Sequence, residues 1–169
     1  MPVIPLIDLN SASAAVQEAI QEHLAQGYRL TNEKLTLLHN VTAFRALEAE
    51  SYAVDRELQQ MIGKRAADFY EYAISQQNDC PVCSVYFGKL MKQHGITDFD
   101  SFTFTEQEKL LMLYGRAIAR DHKHVPDTLM QQMKETFSDE ELVVITTMGV
   151  LMIANNYFND ILQVEPEHL

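Results

Sequence analysis

The chain has 169 residues, 47% of them apolar and 22% charged, which fits one soluble globular domain and excludes a disordered chain. Its formal charge is −11, from 24 acids against 13 Lys plus Arg. That balance argues against a nucleic-acid surface, which needs clustered cations, and against docking on anionic membranes. Only two cysteines occur, together in Cys80-Pro81-Val82-Cys83.

Met1 to Asp8 has no cationic start and only a short apolar run, so the sequence predicts no secretory signal and a cytoplasmic protein, where thiols are kept reduced. Ser11 or Ser13 caps a helix running toward Gly27, with Val16, Ile20 and Leu24 on one face. Thr31 or Asn32 opens a shorter helix through Leu35, Leu38 and His39. A short third helix is expected from Thr42 to about Glu50. A longer one follows from about Ser51 to Gln76, striped by Val54, Leu58, Ile62, Ala66, Phe69 and Ala73. Gln76 to Asp79 breaks it, and the cysteine pair opens the next helix, from Pro81 to about His94 before Gly95.

After a connector rich in Phe, Thr and Asp, Thr105 and Glu108 form a capping box for a helix to about Asp121, faced by Leu110, Leu113, Tyr114, Ala117 and Ile118. Asp121 to Val125 reads as a loop, with Pro126 placed for the first turn of the following helix. Ser138 and Glu141 form a second capping box. The helix they open holds 18 uncharged residues from Leu142 to Asn159, close to membrane-spanning length. Thr146, Thr147, Asn155, Asn156 and Asn159 favour a buried core helix instead. The three amides either line the cysteine pocket or bond to neighbouring helices or a second subunit. There is no strand pair and no Gly-rich phosphate loop, and Gly and Pro number only 6 and 5. The expected fold is therefore all-α, a single-domain bundle of seven to eight helices.

Unpaired N–H groups and the positive dipole end at a helix start stabilise thiolates, so both sulfurs gain acidity. The two-residue spacer lets them approach bonding distance, and Pro81 at the first helical position loses no hydrogen bond. These features suit a pair that cycles between dithiol and disulfide. Zinc would need two more ligands. Among His23, His39, His94, His122, His124 and His168 only His122 and His124 are close together, so no metal and no other cofactor is expected. Two structural cysteines on a core helix are the alternative. A thioredoxin-type pair follows a strand, whereas a long helical stripe precedes this one. The eight methionines read as core fillers and Glu165-Pro166-Glu167 as a solvated end.

A helix carrying an acid, Cys-x-x-Cys opening the next, and a capped helix pair ending in an Asn-rich apolar helix together resemble the carboxymuconolactone decarboxylase and alkylhydroperoxidase D-like (AhpD-like) family. The similarity runs from about Leu35 to Val164, clearest from Tyr72 through Cys83 and from Ser138 through Asp160. It implies a family core over 31–164 behind an N-terminal helical extension over 1–30, and homo-oligomers, commonly dimers, trimers or hexamers. In the redox branch it implies a cysteine pair that reduces peroxides or exchanges with a thiol carrier. The catalytic set it implies is Cys80, Cys83 and Asp68, the acid twelve positions before the first cysteine. Glu71, one turn later, is a substitute for Asp68, and Arg65 can pair with Asp68 and hold it ionised.

The family's histidine, four residues after the second cysteine, is Phe87 here. That departure argues against lactone decarboxylation and leaves the base to the helix terminus, Asp68, Glu71, His39 or Tyr86. The helix-terminus argument makes Cys80 the more exposed, exchanging thiol. The resemblance makes Cys83 the one that meets peroxide and Cys80 the resolving one. The expected function is thus a thiol–disulfide oxidoreductase acting on peroxide or disulfide, reset by a reducing thiol protein or small thiol. Replacing Phe87 by His is expected to speed it. The alternative is a catalytically altered helical oligomer that binds a small molecule or protein.

Overall fold

In a computed structural model, described over residues 1–99 and 101–167, the chain forms eight α-helices, with no strand among the described residues. His168 lies outside them. α1 (Ala14–Ala25) starts at Ser13, whose Oγ accepts from the Val16 N–H, and α2 (Asn32–Leu37) starts at Thr31 in the same way. α1 buries Val16, Ala19 and His23, while Leu24 is 50% exposed. The inward position expected of Leu24 therefore belongs to a histidine, whose ring is anchored by the Arg29 carbonyl and the Glu48 carboxylate.

α3 (Val41–Ile62) and α4 (Lys64–Gln77) replace the short and long helices expected over this stretch. The break falls at Gly63, not near Ser51, because Gly63 has φ +85°, a left-handed conformation that a side chain disfavours. α4 is the centre of the molecule, packed by α3, α5, α6 and α8. Its Phe69, Tyr70 and Ile74 are fully buried, each such side chain contributing roughly 1.5–3 kcal/mol of hydrophobic stabilisation.

α4 ends with Asp79 at φ +54°, a conformation Asp tolerates, and the Cys80 N–H returns to the Ser75 carbonyl at 3.1 Å. That reversal makes Cys80 the N-cap of α5 (Pro81–Gln93), with Pro81 in its first turn. Gly95 at φ +80° ends α5 as the sequence predicts. Phe102 and Phe104 of the connector then pack on Phe69, and Phe99 stacks on Tyr72.

α6 (Glu106–Asp121) and α8 (Asp139–Ile161) both begin with the expected capping boxes, and α7 (Asp127–Thr136) begins just after Pro126. α8 is long and apolar enough to cross a membrane by length and composition. It nevertheless turns Ile145, Met148, Met152, Asn156 and Asn159 into the core against α3 and α4. The tail is tied down: the Glu167 carboxylate lies 3.7 Å from the Arg29 guanidinium and accepts from the Asn32 N–H. The solvated end expected of Glu165-Pro166-Glu167 is thus a clasp onto the start of α2.

Candidate active site

The cysteines sit one helical turn apart at the start of α5, with Sγ atoms 3.0 Å apart and both thiols free. Cys80 is fully buried and Cys83 is 7% exposed, so the exposure order expected from the helix terminus is reversed. The reason is the Asp79 turn, which folds Cys80 under the end of α4. Cys83 lies on the wall of a cavity of about 320 Å³, shared with Val82, Tyr86, Met148 and Met152. A second cavity of about 360 Å³, between α6 and α7, is lined by neither cysteine.

Two acids 3.0 Å apart do not ionise together, so loss of the first proton makes the second harder to lose. The Cys83 S–H and, against the opposing effect of burial, the Cys83 backbone N–H pull the Cys80 thiol below its ordinary value. Cys83 is pushed up, first by its hydrogen bond with Cys80 and then by burial. Opposing that rise, Asn156 Nδ2 donates to Cys83 Sγ at 3.1 Å and Asn159 Nδ2 at 3.5 Å. The α8 amides therefore do both things expected of them in the alternative. They line the cysteine site, and Asn156 is bound to neighbouring elements through Asn78 and Ser75.

The acids separate. Asp68 is 3% exposed and its carboxylate accepts from Lys64 Nζ at 2.8 Å and pairs with His94 Nε2 at 2.6 Å. It ties the start of α4 to the end of α5 and is absent from the cavity wall. The pairing expected between Arg65 and Asp68 does not form: Arg65 Nε donates to Glu108 Oε1 at 2.6 Å. Glu71, one turn on, does reach the cavity. Burial, then the neighbouring Asp55 and Asp68 carboxylates, raise its pKa well above the ordinary carboxylate range.

Of the remaining base candidates, His39 Nε2 bonds to the Pro5 carbonyl at 2.8 Å and is exposed. Tyr86 borders the cavity, but burial raises its phenol further from neutrality. Phe87 packs into the main core and is not on the cavity wall. His124 pairs with Asp121 on the surface. Among the described residues no group of three or more His, Cys, Asp or Glu is placed to hold a metal ion.

Sequence reading did not bring in the opposite wall, from α2 and α3. Glu33 accepts from Asn159 Nδ2 at 3.4 Å and pairs with Lys34, whose Nζ lies 2.6 Å from Glu48. Glu48 in turn lies 3.2 Å from His23 Nδ1, so a buried polar chain runs from α1 to the amides around Cys83. Ser51, Tyr52 and Asp55 of α3 complete the wall. No local motif marks these residues. The one available signal was the crowding of Glu33, Lys34 and Glu48 on otherwise apolar helix faces.

No family model matches the sequence, and no curated protein matches it. Solved structures do. A protein of unknown function from Agrobacterium tumefaciens, for which an antioxidant defence role (AhpD) has been suggested, superposes with a TM-score of 0.65 at 20% identity, over 78% of this chain and 94% of its own. An uncharacterized peroxidase-related protein from Silicibacter sp. TM1040 superposes with a TM-score of 0.77 at 13% identity, over 98% of this chain and 92% of its own. At such identities the likeness is one of architecture: the chain has the all-α, AhpD-like fold.

Proposed function

We propose that the protein is a thiol–disulfide oxidoreductase that reduces a small peroxide or exchanges with a disulfide through Cys80 and Cys83. The observation that carries this reading is the free Sγ···Sγ pair at 3.0 Å, with Cys83 facing a cavity also walled by Glu71. The fold neighbours, one with a suggested antioxidant defence role and one described as peroxidase-related, support it.

The pair supplies its own base, which offsets the missing histidine. Once the pair has lost its first proton, transfer of the other from Cys83 to Cys80 across 3.0 Å leaves the charge on Cys83, where Asn156 and Asn159 donate to it. The Cys83 thiolate attacks the distal oxygen of ROOH, the O–O bond breaks, and Cys83 becomes a sulfenic acid. The departing alkoxide takes the Glu71 proton and leaves as ROH. Cys80 then attacks the Cys83 sulfur; hydroxide departs with the Cys80 proton as water, and the disulfide closes. ROOH and two thiols thus become ROH, water and one disulfide, and Glu71 regains a proton from solvent. A reducing thiol restores the dithiol.

A homo-oligomer belongs to the same proposal. α8 turns Val143, Val150, Tyr157 and Ile161 outward, each more than half exposed, at spacings of seven, seven and four along one face. That is the spacing a second helix packs against.

The test is a thiol count. Peroxide should remove two thiols per chain, dithiothreitol should restore them, and Cys83→Ser should abolish turnover. Thiols that stay inert to peroxide and to small disulfides near neutral pH would sink the reading.

A further inference from the structure

The cavity beside Cys83 contains more polar capacity than the protein itself uses. Glu71 Oε1, Ser51 Oγ and Asn155 Oδ1 are all buried and have no hydrogen-bond partner, and all three residues face this one cavity. They are 6%, 8% and 9% exposed respectively, so solvent does little to satisfy them. An orphaned buried oxygen is costly, and three in one cavity point to a ligand that supplies donors. All three accept, and a primary ammonium offers three N–H donors and no acceptor.

Charge agrees with that count. Asp55 and Glu71 lie side by side on the wall, interacting closely enough that the Asp55 carboxylate raises Glu71. The two cations of the wall itself are already paired, Lys34 with Glu33 and Glu48 and Arg29 with Glu167. A cation lodged between Asp55 and Glu71 would let Glu71 give up its proton and ionise beside Asp55, whereas an anion would add to the negative charge already there. The rest of the wall, with Val82, Met148 and Met152, is apolar and leads to Cys83. At about 320 Å³ the space suits a small molecule.

We propose that this cavity binds a small disulfide, or the thiol derived from it, whose far end carries a protonated amine held by Glu71, Ser51 and Asn155. The proposal rests on the oxidoreductase reading of the same site. The Cys83 thiolate attacks one sulfur of R–S–S–R and releases R–S⁻, which takes a proton as RSH. Cys80 then attacks the Cys83 sulfur of the mixed disulfide, releasing the second thiol. The substrate disulfide is reduced to two thiols as the protein dithiol is oxidised.

Three disulfides of similar size test this: cystamine, bis(2-hydroxyethyl) disulfide and 3,3′-dithiodipropionate, which are cationic, neutral and anionic. Each rate of protein thiol loss is divided by that disulfide's rate with 2-mercaptoethanol. The expected order is cystamine first and dithiodipropionate last, separated by about tenfold or more, with the ratio falling toward one in Glu71→Gln. Equal rates, or preference for the anion, would overturn the amine site. In Cys83→Ser protein, which has no exchange chemistry, n-butylammonium chloride should raise Tm more than sodium butyrate at equal ionic strength. Equal shifts would also overturn the site. A selective shift in protein whose native dithiol is inert to all three disulfides and to peroxide would instead overturn the oxidoreductase reading, and with it the disulfide half of the proposal.

Discussion

Asn156 Nδ2 donates to Cys83 Sγ at 3.1 Å from a position with no solvent exposure, while its Oδ1 accepts from Asn78 Nδ2 at 2.9 Å. The Asn78 bond, with the contact to Ser75 Oγ, fixes the amide so that its N–H points at sulfur. A hydrogen bond to a charged group is worth about 1.5–3 kcal/mol, so Asn156→Ala should slow alkylation of Cys83 by iodoacetamide about tenfold at pH 7. Mass mapping should show Cys80 little changed. Asn156→Asp, similar in size, places a carboxylate against the thiolate and should slow Cys83 further. An unchanged Cys83 rate in both variants would remove Asn156 from the site.

Glu71 ties pH to both rate and stability. Peroxide reduction needs the pair's first proton off, a step eased below the ordinary thiol value, and the raised Glu71 proton on. The rate should therefore fall at low pH with the pair and fall again at high pH as Glu71 ionises. Glu71→Gln should lower the rate and abolish the high-pH limb while keeping the low-pH one.

For stability the sign follows from the raised folded-state pKa. Above the unfolded value of about 4.5 the unfolded chain releases this proton and the folded chain holds it, so stability is lost as pH rises toward the folded pKa. The loss is at most about 1.4 kcal/mol per pH unit. Urea unfolding should show Glu71→Gln gaining on the natural protein from pH 5 to pH 8, with little difference at pH 4.

The position of Phe87 revises an expectation. It is 4% exposed within the core and lies off the cavity wall, so an imidazole there would meet apolar neighbours and not substrate. Phe87→His should lower stability by about 2–4 kcal/mol, from lost burial and an unpaired polar ring. It should leave peroxide turnover no faster per folded molecule, as read by initial rates normalised to the folded fraction. A rate gain would mean the ring reaches the cysteines after all.

What the sequence made legible was local. Ser13, Thr31, Thr105 and Ser138 mark helix starts because a cap needs only a side chain and an N–H three residues on. The cysteine pair at a helix start was legible for the same reason. The break at Gly63 was hidden because Leu58, Ile62, Ala66 and Phe69 continue one apolar stripe across it, although the glycine itself was the available signal. The choice between Asp68 and Glu71 could not be made from spacing, since both lie on α4 one turn apart. It turns on which one meets α5 and Lys64, and which one meets α3 and the cavity. Ser51, Asp55 and Asn155 converge only through tertiary packing.

Gly149 on α8 offers a test of how tightly that packing is set. A Cβ built there would collide with Tyr70 Oη and come within 2.5 Å of Ile118 Cδ1, where helices α4, α6 and α8 meet. Tyr70 cannot easily retreat, because it is fully buried and its hydroxyl donates to the Ile145 carbonyl at 2.9 Å. Gly149→Ala improves helix propensity by up to about 1 kcal/mol, yet overpacking a fixed core costs about 1–3 kcal/mol, and here the collision should win. Thermal unfolding should show a lower Tm, and Gly149→Ala combined with Tyr70→Phe should recover part of the loss by removing the colliding hydroxyl. A Tm equal to or above that of the natural protein would mean α8 can move away from α4, and with it the amides that hold Cys83.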